Sequence, residues 1–148
     1  MKRRFARYWL SGFGAGYMPI APASWGSLVG VFLASWMSPL SEGIRLSIWA
    51  GYLGISILCS RWGIFVADGA DPPWVVADEI FAVLTVGLFY PLDSMQALAG
   101  TFIFFRFWDV AKIYPMDIAE RWPAPWGIFG DDVVAAAYTL ACLVLLGF

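Results

Sequence analysis

Five carboxylates, Asp78, Glu79, Asp109, Asp131 and Asp132, fall in three tight clusters, and each cluster abuts a long apolar run. A charge at the border of hydrocarbon costs on the order of several kcal/mol unless it is paired, hydrated or bound to a metal. That cost restricts the folds open to the chain. A solvated surface would disperse its acids, whereas clusters that punctuate a hydrophobic chain point to convergence on one cationic ligand, most simply a divalent metal.

The surrounding chain is apolar enough to make the argument bite. Hydrophobic residues make up 61% of its 148 positions and charged residues 14%, against roughly 45–50% and 25% in soluble domains. Nine Trp and twelve Phe add the aromatic bulk enriched at membrane interfaces. This is the composition of a membrane-embedded or membrane-associated protein; the alternative is a very apolar helical core under a thin polar skin. The length suits one domain, residues 1–148. Net charge is −2 and no basic stripe runs through the chain, so nucleic acid is excluded as an expected partner. Four cations crowd the start, Lys2, Arg3, Arg4 and Arg7, but a Gly- and Pro-rich stretch follows them instead of the apolar core of a signal peptide. They read as a cytoplasmic anchor under the positive-inside rule. Cys59 and Cys142 lie in apolar runs and read as free thiols. The complete absence of histidine removes the Ser-His-Asp triad, HExxH zinc hydrolases and histidine-nucleophile phosphatases.

Alternation of period two is weak, and the expected fold is all-α: a compact bundle of about five main helices. Residues 1–10 read as a short interfacial helix and 11–26 as a loop, by Gly and Pro density. Apolar runs follow at 27–39, 44–67, 75–90, 95–112 and 131–147, separated by turns, with 113–130 a second Gly/Pro loop. The run at 44–67 is long enough to span roughly 30 Å of hydrocarbon. Asp93 or Ser94 is the expected N-cap of the helix after Pro91. Asp68, Asp71, Asp93, Asp117 and Glu120 read as solvated loop and turn acids. If each run is one traverse, all three acidic clusters and the first Gly/Pro loop lie on one side, and the basic N-terminus puts that side in the cytoplasm.

Arg106, Asp109 and Lys112 are spaced i, i+3, i+6 and share a helical face, either as simple salt bridges or as an acid for metal beside cations for phosphate. Asp131-Asp132 at a helix start is open to a dipole explanation. Asp78-Glu79 is not, because Val75-Val76-Ala77 already reads as helix. Hard oxygen ligands of this kind suit Mg²⁺. Gly12-x-Gly14-x-Gly16 either offers backbone N–H groups to an anion or is a flexible turn, and Ser24 shares those two readings.

Taken in order, these segments resemble the signature blocks of the phosphatidylglycerophosphatase A family. They are Gly12-Phe13-Gly14-Ala15-Gly16 through Pro19, Ala21-Pro22 and Trp25-Gly26-Ser27-Leu28; Asp78-Glu79 after Val75-Val76; Arg106-x-x-Asp109-x-x-Lys112-x-x-Pro115; and Gly127 with Asp131-Asp132-Val133-Val134-Ala135. The resemblance implies a Mg²⁺-dependent helical phosphatase of the bacterial inner membrane, hydrolysing phosphatidylglycerophosphate to phosphatidylglycerol and phosphate. It implies metal or catalytic roles for Asp78, Glu79, Asp109, Asp131 and Asp132, and substrate-phosphate roles for Arg106 and Lys112. Ser24, Gly14 and Gly16 join them as expected substrate contacts. The chain departs from the family pattern at Ala23 and Ala82, where glycine is usual, at Ile113, where proline is usual, and at Ala136. Two rivals remain on the residues alone: a small transporter, which would place its acids mid-span instead of at run ends, and a non-catalytic membrane subunit.

Overall fold

The computed structural model describes residues 1–62, 72–119 and 126–148. Asp68, Asp71 and Glu120 lie outside the described residues. The described chain is all-helical: α1 (Lys2–Leu10), a 3₁₀ turn (Ala15–Tyr17), α2 (Pro22–Met37), α3 (Glu42–Arg61), α4 (Ala77–Phe89), α5 (Met95–Ala111), the short α6 (Met116–Ala119) and α7 (Trp126–Leu146). The five main helices are α2, α3, α4, α5 and α7. Ser94 caps α5, its hydroxyl accepting from the Ala97 amide at 3.0 Å, and Asp93 is exposed.

Helix α4 is the hub. Every residue from Ala77 to Gly87 is buried, with α2, α3 and α7 packed around it. At 1.5 Å per residue its 13 residues extend about 20 Å, so it forms a short apolar axle inside the bundle. Close approach of α2 depends on small residues one turn apart. A Cβ at Gly26 would stand 2.5 Å from Val76 Cβ, one at Gly30 would stand 2.9 Å from Val83 Cβ, and Ala34 meets Gly87. Small residues at this spacing let backbones approach without an intervening side chain. The pairings also fix direction: α2, α4 and α7 run parallel, with Asp78 near Asp132 at one end of α4 and the Tyr90 hydroxyl donating to the Phe148 carbonyl at the other, while α3 crosses back, with Trp49 against Phe81 and Arg45 reaching the Gly87 carbonyl. Helix α5 runs antiparallel to α7, with Trp108 against Tyr138 and Gly100 against Leu143.

Three helix starts differ from the sequence expectation. Helix α2 begins at Pro22, inside the stretch expected to be loop, because proline at the first helical position has its φ preset and lacks only an N–H that would be unsatisfied there. Helix α7 begins at Trp126, so Asp131 and Asp132 lie in its second turn and not at its start. Its first turn is tied to the hub by Phe129, which packs edge-on against Phe81 at 5.7 Å. Conversely, α4 begins at Ala77, which puts Asp78 and Glu79 in its first turn. The two acidic pairs thus exchange places: the dipole argument belongs to Asp78-Glu79.

The outer faces are apolar. Phe32 and Trp36 on α2, Ile103 and Val110 on α5, and Val144 and Leu145 on α7 are all exposed. An apolar surface this widespread is not that of a solvated monomer. Among the described residues, α3 and the Phe129–Leu146 stretch of α7 are long and apolar enough to cross a membrane, and together with this surface they indicate membrane association.

Candidate active site

The parallel course of α4 and α7 brings Asp78, Glu79 and Asp132 to one end of the bundle. One carboxylate oxygen from each lies within 4.8 Å of the others, and all three residues are buried. The α4 backbone favours the first two, since its N-terminal N–H groups carry partial positive charge. That effect is worth at most about 2 kcal/mol and does not offset the burial of three charges. The strain shows at Glu79. Burial lifts its pKa to about 8, the Asp132 and Asp109 charges push the same way, and hydrogen bonds with Asp78 and its own backbone pull it back. Glu79 Oε2 is buried and accepts no hydrogen bond. Three hard oxygen donors around a point that lacks positive charge fit a divalent cation.

Asp109 and Asp131 stand outside this trio. Asp109, on the last turn of α5, pairs with Arg106 one turn earlier, and both are about one-fifth exposed. It also shares a hydrogen bond with Asp132 and acts electrostatically on Glu79, so it borders the trio directly. Asp131 lies 3.9 Å from Lys112 Nζ. Lys112 does not continue the helical face expected for it. It is the C-cap of α5, in left-handed conformation at φ +41°, and turns the chain away from the helix. The five predicted acids therefore resolve into a buried trio and two rim acids, each beside a cation.

The first Gly/Pro loop packs on the entry to α4. The Val76 amide donates to the Leu10 carbonyl at 2.9 Å, and Gly16 lies so close to Trp74 that a Cβ there would sit 1.9 Å from its carbonyl oxygen. The loop's amides are turned inward: Gly14 donates to Ser11 Oγ at 3.1 Å and Gly16 to the Ser11 carbonyl at 2.8 Å. Gly14 and Gly16 therefore shape the loop that buttresses the site, and their N–H groups are already engaged. Ser24 is half-buried in the first turn of α2, its amide bonded to the Ala21 carbonyl at 2.9 Å. Of the three glycine departures, Ala82 is fully buried within α4, Ala136 is fully buried within α7, and Ala23 sits in the first turn of α2.

Sequence reasoning missed Tyr52. It is buried on the face of α3 that also carries Ser56, Cys59 and Ser60, and it lies within electrostatic reach of Asp78 and Glu79. The signal was the spacing of that small and polar stripe along an apolar helix, which marks its inward side.

Comparison with known proteins gives the chain its family. The family model for phosphatidylglycerophosphatase A matches residues 8–147. The phosphatidylglycerophosphatase A of Haemophilus influenzae is 31% identical over 87% of this chain and 80% of its own length. That of Escherichia coli is 26% identical over 92% of this chain and 80% of its own. A protein of Bacteroides thetaiotaomicron named as a putative phosphatidylinositol-3-phosphatase is 27% identical over 91% of this chain and 89% of its own length. No solved structure matches the chain. With a family match running from the end of the first helix to the end of the last, the chain belongs to the phosphatidylglycerophosphatase A family and is a phosphatase, a phosphoric monoester hydrolase.

Proposed function

We propose that the protein removes the terminal phosphate of phosphatidylglycerophosphate, giving phosphatidylglycerol and inorganic phosphate, with Mg²⁺ held by Asp78, Glu79 and Asp132. The observation that carries this reading is the meeting of three buried carboxylates from two distant segments at one end of a bundle with apolar outer faces. A two-chain lipid keeps its acyl tails beside those faces while its phosphate meets the polar end. The bound cation supplies charge neutralisation at the phosphate oxygens and a more acidic water. Arg106 and Lys112 flank the trio at the rim, where partial exposure leaves them within reach of an incoming headgroup. Their charges stabilise the phosphoryl group as negative charge redistributes during transfer. Asp109 and Asp131 hold these cations in place. The site faces the cytoplasm from the bacterial inner membrane, because the basic helix α1 lies at the same end as the trio.

The test is phosphate release by the purified full chain in detergent micelles, with Mg²⁺ or with EDTA, from phosphatidylglycerophosphate and from phosphatidylinositol 3-phosphate. Mg²⁺-dependent release from the first alone is the expected result. Preference for the inositol lipid would overturn the substrate assignment, and equal rates in EDTA would overturn the metal.

A further inference from the structure

A buried hydroxyl on α3 lies within electrostatic reach of Asp78 and Glu79 and makes no hydrogen bond of ordinary geometry. Tyr52 is 6% exposed, and its Oη makes no hydrogen bond. The helix register accounts for its place. Trp49 packs on Phe81 at 5.1 Å across the antiparallel α3–α4 pair, so one turn further along α3 Tyr52 meets the start of α4, where Asp78 and Glu79 sit. Ser56, one turn beyond, is its polar neighbour on α3. The Ser56 hydroxyl accepts from Trp9 Nε1 at 2.9 Å, and its own interaction with Tyr52 Oη falls short of a bond of ordinary geometry. Trp9 also packs on the Tyr52 ring at 5.1 Å between centroids, so the ring is fixed from the α1 side. A buried donor within electrostatic reach of Glu79, whose Oε2 is a buried acceptor that is also unbonded, is costly for the fold alone. It makes sense as an arrangement for a state in which the carboxylates are drawn together. Carboxylates that ligate a metal are themselves held by outer hydrogen bonds, and these orient them and tune affinity.

We propose that Tyr52 is a positioning residue of the acidic centre: its hydroxyl donates to the Asp78–Glu79 carboxylate pair and holds it in the orientation that takes a divalent cation. This rests on the reading of the trio as a cation site. It also gives α1 a structural task, since Trp9 fixes the ring whose hydroxyl does the orienting.

The experiment is calorimetric titration of Mg²⁺ into the detergent-solubilised full chain as wild type, Tyr52→Phe and Glu79→Gln, with thermal unfolding of each metal-free protein and KM for the lipid substrate. Tyr52→Phe keeps the ring and its packing on Trp9. Its Mg²⁺ affinity is expected to fall about 10- to 100-fold, with the lipid KM unchanged and the metal-free midpoint equal to wild type or higher. Wild-type Mg²⁺ affinity in Tyr52→Phe would overturn the proposal. So would a Tyr52→Phe protein that is unstable without metal, because its hydroxyl would then belong to the fold and not to the centre. The underlying reading fails separately, if wild type binds no Mg²⁺ or if Glu79→Gln binds it as well as wild type does.

Discussion

At the scale of single residues, position relative to the trio decides the expected effect of each acid. Asp78→Asn, Glu79→Gln and Asp132→Asn each remove a converging oxygen and are expected to lower turnover by at least about 100-fold. Asp131→Asn, which removes the partner of Lys112 at the rim but leaves the three converging carboxylates, is expected to cost about tenfold or less, as suits a partly exposed pair. Steady-state phosphate release across the four variants checks this order, and equal losses at all four would contradict it. Glu79 also makes a stability prediction. Its folded pKa of about 8 stands above the ordinary 4.5, so the native state holds the proton more tightly than the unfolded chain does. The stabilisation is whole below about pH 4.5 and is lost as pH climbs through about 8. Metal-free wild type should therefore melt at progressively lower temperature over that window. Glu79→Gln should show a flatter profile, and Mg²⁺ should restore the wild-type midpoint at the alkaline end. A flat wild-type profile would mean that Glu79 is not buried as described. These residues were legible in the sequence because a carboxylate beside an apolar run is conspicuous. Tyr52 was not, since a tyrosine in a Trp- and Phe-rich chain carries no such contrast and its role depends on the register of α3 against α4.

At the scale of elements, α2 and α4 make the most specific prediction. Gly30→Ala places a methyl group 2.9 Å from Val83 Cβ and 3.2 Å from the Ile80 backbone, and Gly87→Ala meets Ala34 at 2.7 Å. Overpacking of this kind costs about 1–3 kcal/mol. On α3, a Cβ at Gly51 or Gly54 meets open space, so alanine there is expected to stabilise by about 0.5–1 kcal/mol through helix propensity. Denaturant unfolding in detergent separates the two groups, and Gly30→Ala as stable as Gly51→Ala would contradict the close α2–α4 contact. The sequence conveyed the number and type of helices well, because apolar runs bounded by Gly and Pro are strong signals. The starts of α2 and α7 are hidden for one reason: Gly and Pro read as breakers in a sequence, whereas Pro22 opens a helix, Gly26 serves a helix–helix contact and Gly127 lies inside α7. Those shifts moved Asp131 and Asp132 into a second turn and gave Asp78 and Glu79 the first. Yet the acids still converge, because their meeting depends on how many times the chain doubles back and not on exact boundaries.

At the scale of the whole molecule, the basic N-terminal helix and the acidic trio gather at one end of a bundle whose sides are apolar. The exposed cations of α1, the loop packed against Val76 and the carboxylate trio all lie there. Lys2→Cys and Lys112→Cys, made in a Cys142→Ser background, are therefore expected to react with an impermeant thiol reagent from the same face of sealed vesicles. Labelling from opposite faces would refute the shared end. The convergence at that end is the central claim, and the Mg²⁺ activation curve for phosphate release tests it most directly, comparing wild type with Asp132→Asn and Asp131→Asn. Asp132 comes from a helix far in sequence from Asp78 and Glu79, so only a shared centre links it to their cation. Asp132→Asn is expected to abolish activation or move it to much higher Mg²⁺, while Asp131→Asn keeps the wild-type midpoint. An Asp132→Asn curve that overlays wild type would contradict a cation held between α4 and α7.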